Sequence, residues 1–374
     1  MNNIKRFAVA LAIIAAFALV YAGFQGSDIL DRAIVLGIGI DAEPGGEVTV
    51  TAEIVTPGNG SEEVGTYSKT VSAKGKSVVD ALNSVSRYCG KEASLGQCSV
   101  VVFGRDYAQS ADLPSCLKFL IRSESLKETC SVCMANGRAE TVLNSSDAIG
   151  KSVSLSLAVK MLLQVKENGV PSGNLLRFCR SQTEGDGSGF LNVVTRIPTV
   201  NADDGTEADT EAVFGVSGIA VFKNELYLQD LTDVEAQGMA VLFKGVTGQL
   251  YVVEQDGYKM TLQVSKKDVS AGFDGKKISL KVKLVTRPLE ADMKNQENDL
   301  AAKTKSIIKP ESLRQVESQT VMLLNAFFQA QEENNFDLSG FHEAVRQKVG
   351  SSKQLFSTPT ADLQYDFSVV ATDD

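Results

Sequence analysis

Six cysteines and one histidine are the residues of this chain best suited to hold a soft metal or to run a thiol or imidazole centre. Cys130-Ser131-Val132-Cys133 has the spacing of half a zinc site, but a closed site needs a second pair and the sequence has none. On a strand, residues three apart point to opposite faces, so these two thiols diverge. Together with Cys89, Cys98, Cys116 and Cys179 the count is even, which permits fifteen pairings in an oxidising compartment. Cys98, Cys116 and Cys130 nevertheless fall at apolar positions, where a free cysteine behaves as a small hydrophobe. His342 is the histidine on which a Ser-His-Asp or Cys-His centre would have to be built, and it stands in a polar turn beside Glu343.

Phosphate and acid–base chemistry fare no better. Gly75-Lys76-Ser77 resembles the end of a phosphate-binding loop, yet Thr70 stands where that loop needs its first glycine. Gly37 and Gly39 are half of a dinucleotide fingerprint, with Ala42 in place of the third glycine and a strand following; they read as close backbone approach within a sheet. The pairs Glu62-Glu63, Asp203-Asp204 and Asp373-Asp374 lie in polar loops, without an apolar pocket to raise one carboxyl for acid catalysis. A net charge of -9 with no basic stripe argues against nucleic acid as a partner. The sequence therefore carries no enzyme signature, and no metal or cofactor is expected.

The elements read from spacing are those of an α+β protein. Arg32–Ile40 and Val48–Thr56 form a hairpin around Pro44-Gly45-Gly46, the second strand setting Val48, Val50, Ala52 and Ile54 against Thr49, Thr51 and Glu53. Ser77 caps a helix that buries Val78, Val79, Leu82, Val85 and Ser86. Further helices are expected over 113–121, with Leu113, Cys116, Leu117 and Leu120 inward, and from Ala139, with a strand over 129–135 between them. The span 147–166 has so wide an apolar face that a strand at 153–159 competes with the favoured helix. The stretches 184–189 and 201–211 are polar, acidic and glycine-bearing, and read as exposed loops or linkers.

The stretch from Phe214 to Gly245 is the most explicit part of the chain. Val216, Gly218–Phe222 and Leu226–Leu228 are two strands joined by Lys223-Asn224-Glu225. Thr232 and Glu235 then form a capping box, with Met239, Ala240 and Leu242 as the buried stripe of the helix. Beyond it come alternating strands at 249–254, 258–264 and 277–285, an antiparallel sheet with one wet face, and a charged helix or loop over 290–305. A long helix follows from Pro310 to about Glu332, with Leu313, Val316, Thr320, Leu323, Leu324 and Phe327 in one stripe. A short helix ending at Gly350 and a strand at 363–370 finish the chain.

The first residues address the compartment. Lys5 and Arg6 precede an apolar run, Phe7–Phe24, close to the ~20 residues that cross a bilayer core. Phe7, Ala10, Leu11, Ile13, Ile14, Phe17, Leu19 and Val20 are its apolar anchor residues. The run is either an anchor, with the body from Gln25 outside the cytoplasm by the positive-inside rule, or a secretion signal cut after Ala22.

Several of these motifs occur in the same order in one known family. Gly218-Ile219-Ala220-Val221-Phe222-Lys223, with Glu235 beyond, resembles the "G-x-A-V-F-K … E" signature of the C subunits of bacterial spore germinant receptors. Arg32–Asp41 is in step with that family's "L-A-I-V-x-x-x-G-I-D" strand, and Gly96–Gly104 with its "G-H-x-x-V-I-V-x-G", Gln97 standing for the histidine. Arg122-Ser123-Glu124 and Phe336–Phe341 are similar to its "L-x-R-D-x-E" and "D-x-F-G-F-G" turns. Counting back places Gly23 where the family's lipidated cysteine belongs, so no lipid can be attached there.

The resemblance implies a non-catalytic, membrane-associated subunit. It implies docking on two integral-membrane partners of the A and B types, with the small-molecule germinant assigned to a partner rather than to this chain. The expected architecture is two to three domains of mixed or antiparallel sheets with helices on one face. Residues 1–26 form the signal or anchor, 27–200 and 212–374 the two receptor-like domains, and 201–211 an acidic linker. The rival reading is a secreted or envelope-anchored binding module no longer tied to germination, and a third is an unrecognised envelope enzyme.

Overall fold

The structure, a computed structural model, describes residues 13, 32–56, 67–123, 126–145, 152–167, 171–197, 213–243, 245, 247–273, 278–291, 308–340 and 364–371. Its first sheet has nine strands: β1 (Arg32–Ala42), β2 (Val48–Thr56), β3 (Tyr67–Gly75), β4 (Glu92–Ser94), β5 (Val100–Phe103), β6 (Ser131–Ala135), β7 (Ser188–Ile197), β8 (Val213–Lys223) and β9 (Leu226–Asp230). The spatial order is β3-β2-β1-β5-β6-β7-β8-β9, with β4 paired to the start of β1. β1, β5, β6 and β7 run parallel, and antiparallel hairpins extend both ends.

Helices cover both faces of this sheet, where coverage of one face was expected. On one side lie α1 (Val78–Cys89), α2 (Arg105–Ala108), α3 (Leu113–Arg122) and α6 (Leu175–Thr183), packed on Ile38, Ile40, Val101, Phe103, Val132 and Met134. On the other lie α4 (Ala139–Leu143) and α5 (Val153–Glu167), packed on Val100, Val102, Cys133 and Val194. Parallel strands buried on two faces read as continuous apolar runs, as Val100–Phe103 does.

The double coverage corrects several expectations. The opposite face of the second strand, Thr49, Thr51 and Glu53, is buried too: Glu53 is only 2% exposed, because α4 and α5 roof that side of the hairpin. Gly37 is indeed a site of close approach, but to a helix: a Cβ there would stand 2.1 Å from Ser154 Oγ of α5. In α1 the buried positions are Val78, Ala81, Leu82, Ser84 and Val85, whereas Val79 is exposed. α5 is helical throughout 153–167, which resolves the strand alternative. Within 184–189, Ser188 and Gly189 belong to a strand and are buried, since the chain dives there between the two halves.

The second sheet has the order β10-β11-β12-β13: β10 (Leu250–Gln255), β11 (Tyr258–Phe273), β12 (Ile278–Ala291) and β13 (Gln364–Ala371). The first three are antiparallel with one wet face, as Leu250, Val252 and Glu254 alternate outward with Tyr251 and Val253 inward; β13 joins in parallel. The buried face receives α7 (Asp233–Leu242) and α8 (Pro310–Asn334). Gly238 lets α7 meet α8, for a Cβ there would lie 2.1 Å from the Leu323 carbonyl oxygen. The capping box is formed: Glu235 N donates to Thr232 Oγ1 and Thr232 N to Glu235 Oε2, at 3.4 and 2.8 Å.

β8 couples the two layers. Ala220 and Phe222 point into the first core, while Ile219 and Val221 point into the second with Met239 and Phe327. Period-two alternation thus gives one strand to two cores. Although β8 and β9 follow the acidic stretch, β8 pairs with β7 and β9 with β8, so that they complete the first sheet. Residues 341–363, which include the final helix expected from the sequence, and most of 290–305 lie outside the described residues.

Candidate functional site

The signature strand places its lysine at the junction of the halves. Asn224 and Glu225 both have positive φ, 52° and 66°, as a two-residue hairpin turn requires. That turn aims Lys223 at the end of α8. There its ammonium donates to the carbonyl of Asn335, the left-handed residue that closes the helix, and pairs with Asp186 at 3.3 Å. A cation at the carbonyl end of a long helix is favoured by the helix dipole. Ser188 Oγ donates to Asp186 Oδ2 at 2.8 Å and accepts from Asp337 N at 3.0 Å, tying β7 to the turn after α8. Phe336, fully buried against Phe327, locks that turn. The signature residues are structural: they fasten one half to the other.

Beside this seam opens a cleft of about 560 Å³, lined among others by Arg177, Ser181, Phe190, Phe243 and Asp337. Arg177 lies over the Phe243 ring, 5.8 Å from its centre, and Phe190 meets the same ring edge-on at 5.6 Å. Ser181 Oγ donates to the Phe178 carbonyl, and Ser188 Oγ donates to the Asp186 carboxylate, which is itself paired with Lys223. The cleft offers a cation, two aromatic faces and carboxylates, a set suited to stacking and polar contact.

The residues first considered for chemistry are not brought together. Cys130 packs in the first core and Cys133 in the core on the opposite sheet face, as strand geometry requires. Burial pushes the Cys116 thiol up to about 12 and that of Cys179 up to about 11, and raises Cys133 as well. Cys98 is raised by its contact with Cys130 and by burial. None of these thiols is a ready thiolate nucleophile. Ser77 Oγ accepts from Asp80 N at 3.2 Å and Lys76 N donates back to Asp80 Oδ2 at 3.0 Å, so the Gly-Lys-Ser turn is a helix cap. Among the described residues no three His, Cys, Asp or Glu side chains are placed to hold a metal ion. His342, Glu62, Glu63, Asp203, Asp204, Asp373 and Asp374 lie outside the described residues.

The buried carboxylates that matter were not legible as such in the sequence. Asp41, the acid of the "G-I-D" motif, accepts from the amides of Ala139 and Glu140 at 2.7 and 2.9 Å and so caps α4 across 98 and 99 residues of chain. Glu53 accepts from Val153 and Ser154 at 3.1 and 2.8 Å and caps α5. Burial raises Asp41 against the pull of those amides and of Arg138. Glu43, held by Lys74, Arg138 and Thr49, is lowered to about 2. The available signal was a charged residue inside an otherwise apolar pair of strands.

Two surfaces stay apolar. α5 turns Leu155, Val159, Leu162 and Leu163 outward, which explains why its apolar face looked too wide for one-sided burial. Around β10, Val234, Leu250, Val252 and Met322 are exposed. Of the anchor residues only Ile13 is described, helical and exposed; Phe7, Ala10, Leu11, Ile14, Phe17, Leu19, Val20 and also Gly23 lie outside the described residues. Among the described residues no helix is long and apolar enough to cross a membrane.

The described residues form a two-sheet α+β body with a cleft at the junction of its halves. Comparison with known proteins makes the class specific. Residues 25–196 match the family described as the spore germination protein N-terminal domain, and residues 217–369 match the one described as "Spore germination B3/ GerAC like, C-terminal". The chain belongs to the GerAC-type family of germinant-receptor C subunits. It is 22% identical over 262 residues to spore germination protein A3 of Bacillus subtilis (strain 168), covering 68% of this chain and 66% of that protein, just under two thirds of the relative's length. A solved structure, that of the GerBC protein, matches with a TM-score of 0.49 at 14% identity, covering 90% of this chain and 96% of the other.

Proposed function

We propose that this chain is a non-catalytic C-subunit component of a spore germinant receptor that works on the extracytoplasmic side of a membrane. There it docks on integral-membrane A- and B-type subunits and supports nutrient-triggered germination. The observation that carries the reading is the match of both halves, in order, to the two family models. Its support within the fold is that the signature residues Lys223, Asp41 and Glu235 serve packing and capping. The Phe7–Phe24 segment, with glycine at the lipidation position, takes over the tether.

The test is fractionation of spore membranes with a tag at the C terminus. The chain is expected to stay with the membrane in carbonate, to leave it in detergent, and to purify with both membrane subunits. Recovery of the chain in the soluble fraction without either subunit would instead favour the released binding module.

A further inference from the structure

The fold singles out one of the fifteen pairings that six cysteines allow. All six are free thiols in the structure. Cys98 lies two residues before β5 and Cys130 one residue before β6, and these strands are parallel neighbours with Val100 opposite Ser131. Ser131 N donates to Ser99 O at 3.0 Å, which sets the two approaches side by side. Each approach is closed by its own turn: Cys98 N donates to Leu95 O and Cys130 N to Lys127 O, both at 2.9 Å.

Both side chains enter the first core, 2% and 3% exposed, and their thiols are hydrogen-bonded to each other. Neighbouring strands stand about 4.8 Å apart, inside the roughly 4.4–6.8 Å over which a disulfide joins two Cα atoms. Rotation of the two side chains is then enough to bring sulfur to sulfur.

The other four cysteines are placed differently. Cys133 faces the core on the far side of the sheet, so the Cys-x-x-Cys spacing does not make a dithiol. The Cys116 thiol is engaged by the Tyr107 hydroxyl. Cys89 ends α1 and Cys179 lies on α6, each half-buried against the core.

We infer that Cys98 and Cys130 are joined by a disulfide in the exported chain, closing the segment 99–129 and stitching β5 to β6 in the middle of the first sheet. The inference rests on the extracytoplasmic reading above, because thiols stay reduced in the cytoplasm. The oxidant is an extracytoplasmic thiol–disulfide exchange protein. One cysteine, as thiolate, attacks the oxidant's disulfide, and the other then displaces it from the mixed disulfide. The oxidant leaves as a dithiol, carrying the two electrons and two protons given up by the pair. The exchange belongs to the emerging chain, since burial in the folded protein closes both sulfurs to a macromolecular oxidant.

The test treats cells making the tagged full-length chain with N-ethylmaleimide under denaturing acid quench, digests without reductant and maps the peptides by mass spectrometry. Protease accessibility in intact cells reports export separately. The expected result is one linked species carrying Cys98 and Cys130, about 2 Da lighter than the two free peptides together, with Cys89, Cys116, Cys133 and Cys179 alkylated. The purified chain is expected to lose about 5–10 °C of melting temperature on reduction. The Cys98→Ala/Cys130→Ala double variant should lose none, and Cys89→Ala should respond as the wild type does. An exported chain with both thiols alkylated, or with either linked to another cysteine, overturns the inference while the docking reading stands. If the chain is not exported, the docking reading fails, and refolding in a glutathione buffer decides the pairing: a scrambled or fully reduced product overturns it.

Discussion

In the first sheet, long-range helix capping is done by carboxylates: Asp41 holds the start of α4 and Glu53 that of α5. In the second half amides take that place. Gln255 Oε1 accepts from Lys309 N and Ser312 Oγ at the start of α8, Gln331 Oε1 accepts from Leu338 and Ser339 after its end, and Gln315 and Gln319 cover the edge of β10. Where carbonyl ends need a cation, lysines serve, Lys223 for α8 and Lys267 for the Ala240 carbonyl of α7. A neutral amide satisfies the same backbone groups without a charge that must be kept dry. The first half thereby ties its packing to acid pH, and the second to the state of one buried lysine.

The comparison breaks most visibly if the halves melt separately. Because β8 supplies Ile219 and Val221 to one core and Ala220 and Phe222 to the other, Phe327→Ala in α8 is expected to cost ~3–5 kcal/mol and to lower a single cooperative urea transition followed in both halves. Two separated transitions would show that the shared strand does not couple them.

Next in size come the caps. Glu53→Ala leaves two buried amides of α5 without an acceptor and is expected to cost about 1–3 kcal/mol, more than Gln255→Ala, whose cap stands partly in water and is worth about 0.5–2 kcal/mol. Equal losses by chemical denaturation would erase the distinction between the halves.

These caps also mark the limit of what could be read from the sequence. The β8–β9–α7 unit was legible because its determinants are local: a two-residue turn and a capping box within four positions. Asp41 and Glu53 were not, because their partners lie 98 to 101 residues away, and a lone acid in a strand is indistinguishable from a solvent-facing one until the roof over it is known. β7 was missed because its polar, glycine-bearing approach reads as loop, and only its burial between two layers makes it a central strand. The outward apolar rows on α5 and β10 were unreadable for the opposite reason: apolar spacing predicts burial, and these residues are exposed.

Acid titration gives a smaller effect. Glu43 is lowered from 4.5 to about 2, so its contribution to stability is complete above pH 4.5 and is lost as pH falls toward 2. Asp41, raised above 3.8, works in the opposite sense over the window just above that value. Thermal melts from pH 6 to 2 are expected to lose part of their slope in Glu43→Gln; an unchanged slope would remove Glu43 from the account.

The second half has its own pH dependence in Lys267, which burial lowers from 10.5 to about 7. Between those values the unfolded chain binds more protons, so stability rises with pH across the window and is flat below it. Lys267→Met is expected to flatten that rise. A rise that persists in the variant would place its source elsewhere.

The account as a whole rests on the chain acting as a receptor subunit, and spores lacking it test that directly. Loss of refractility after nutrient addition should slow by at least an order of magnitude in the deletion strain. It should recover with the wild-type gene, while germination forced by a non-nutrient trigger stays normal. Nutrient response at the parental rate in the deletion strain, with the membrane subunits at parental levels, would contradict the assignment.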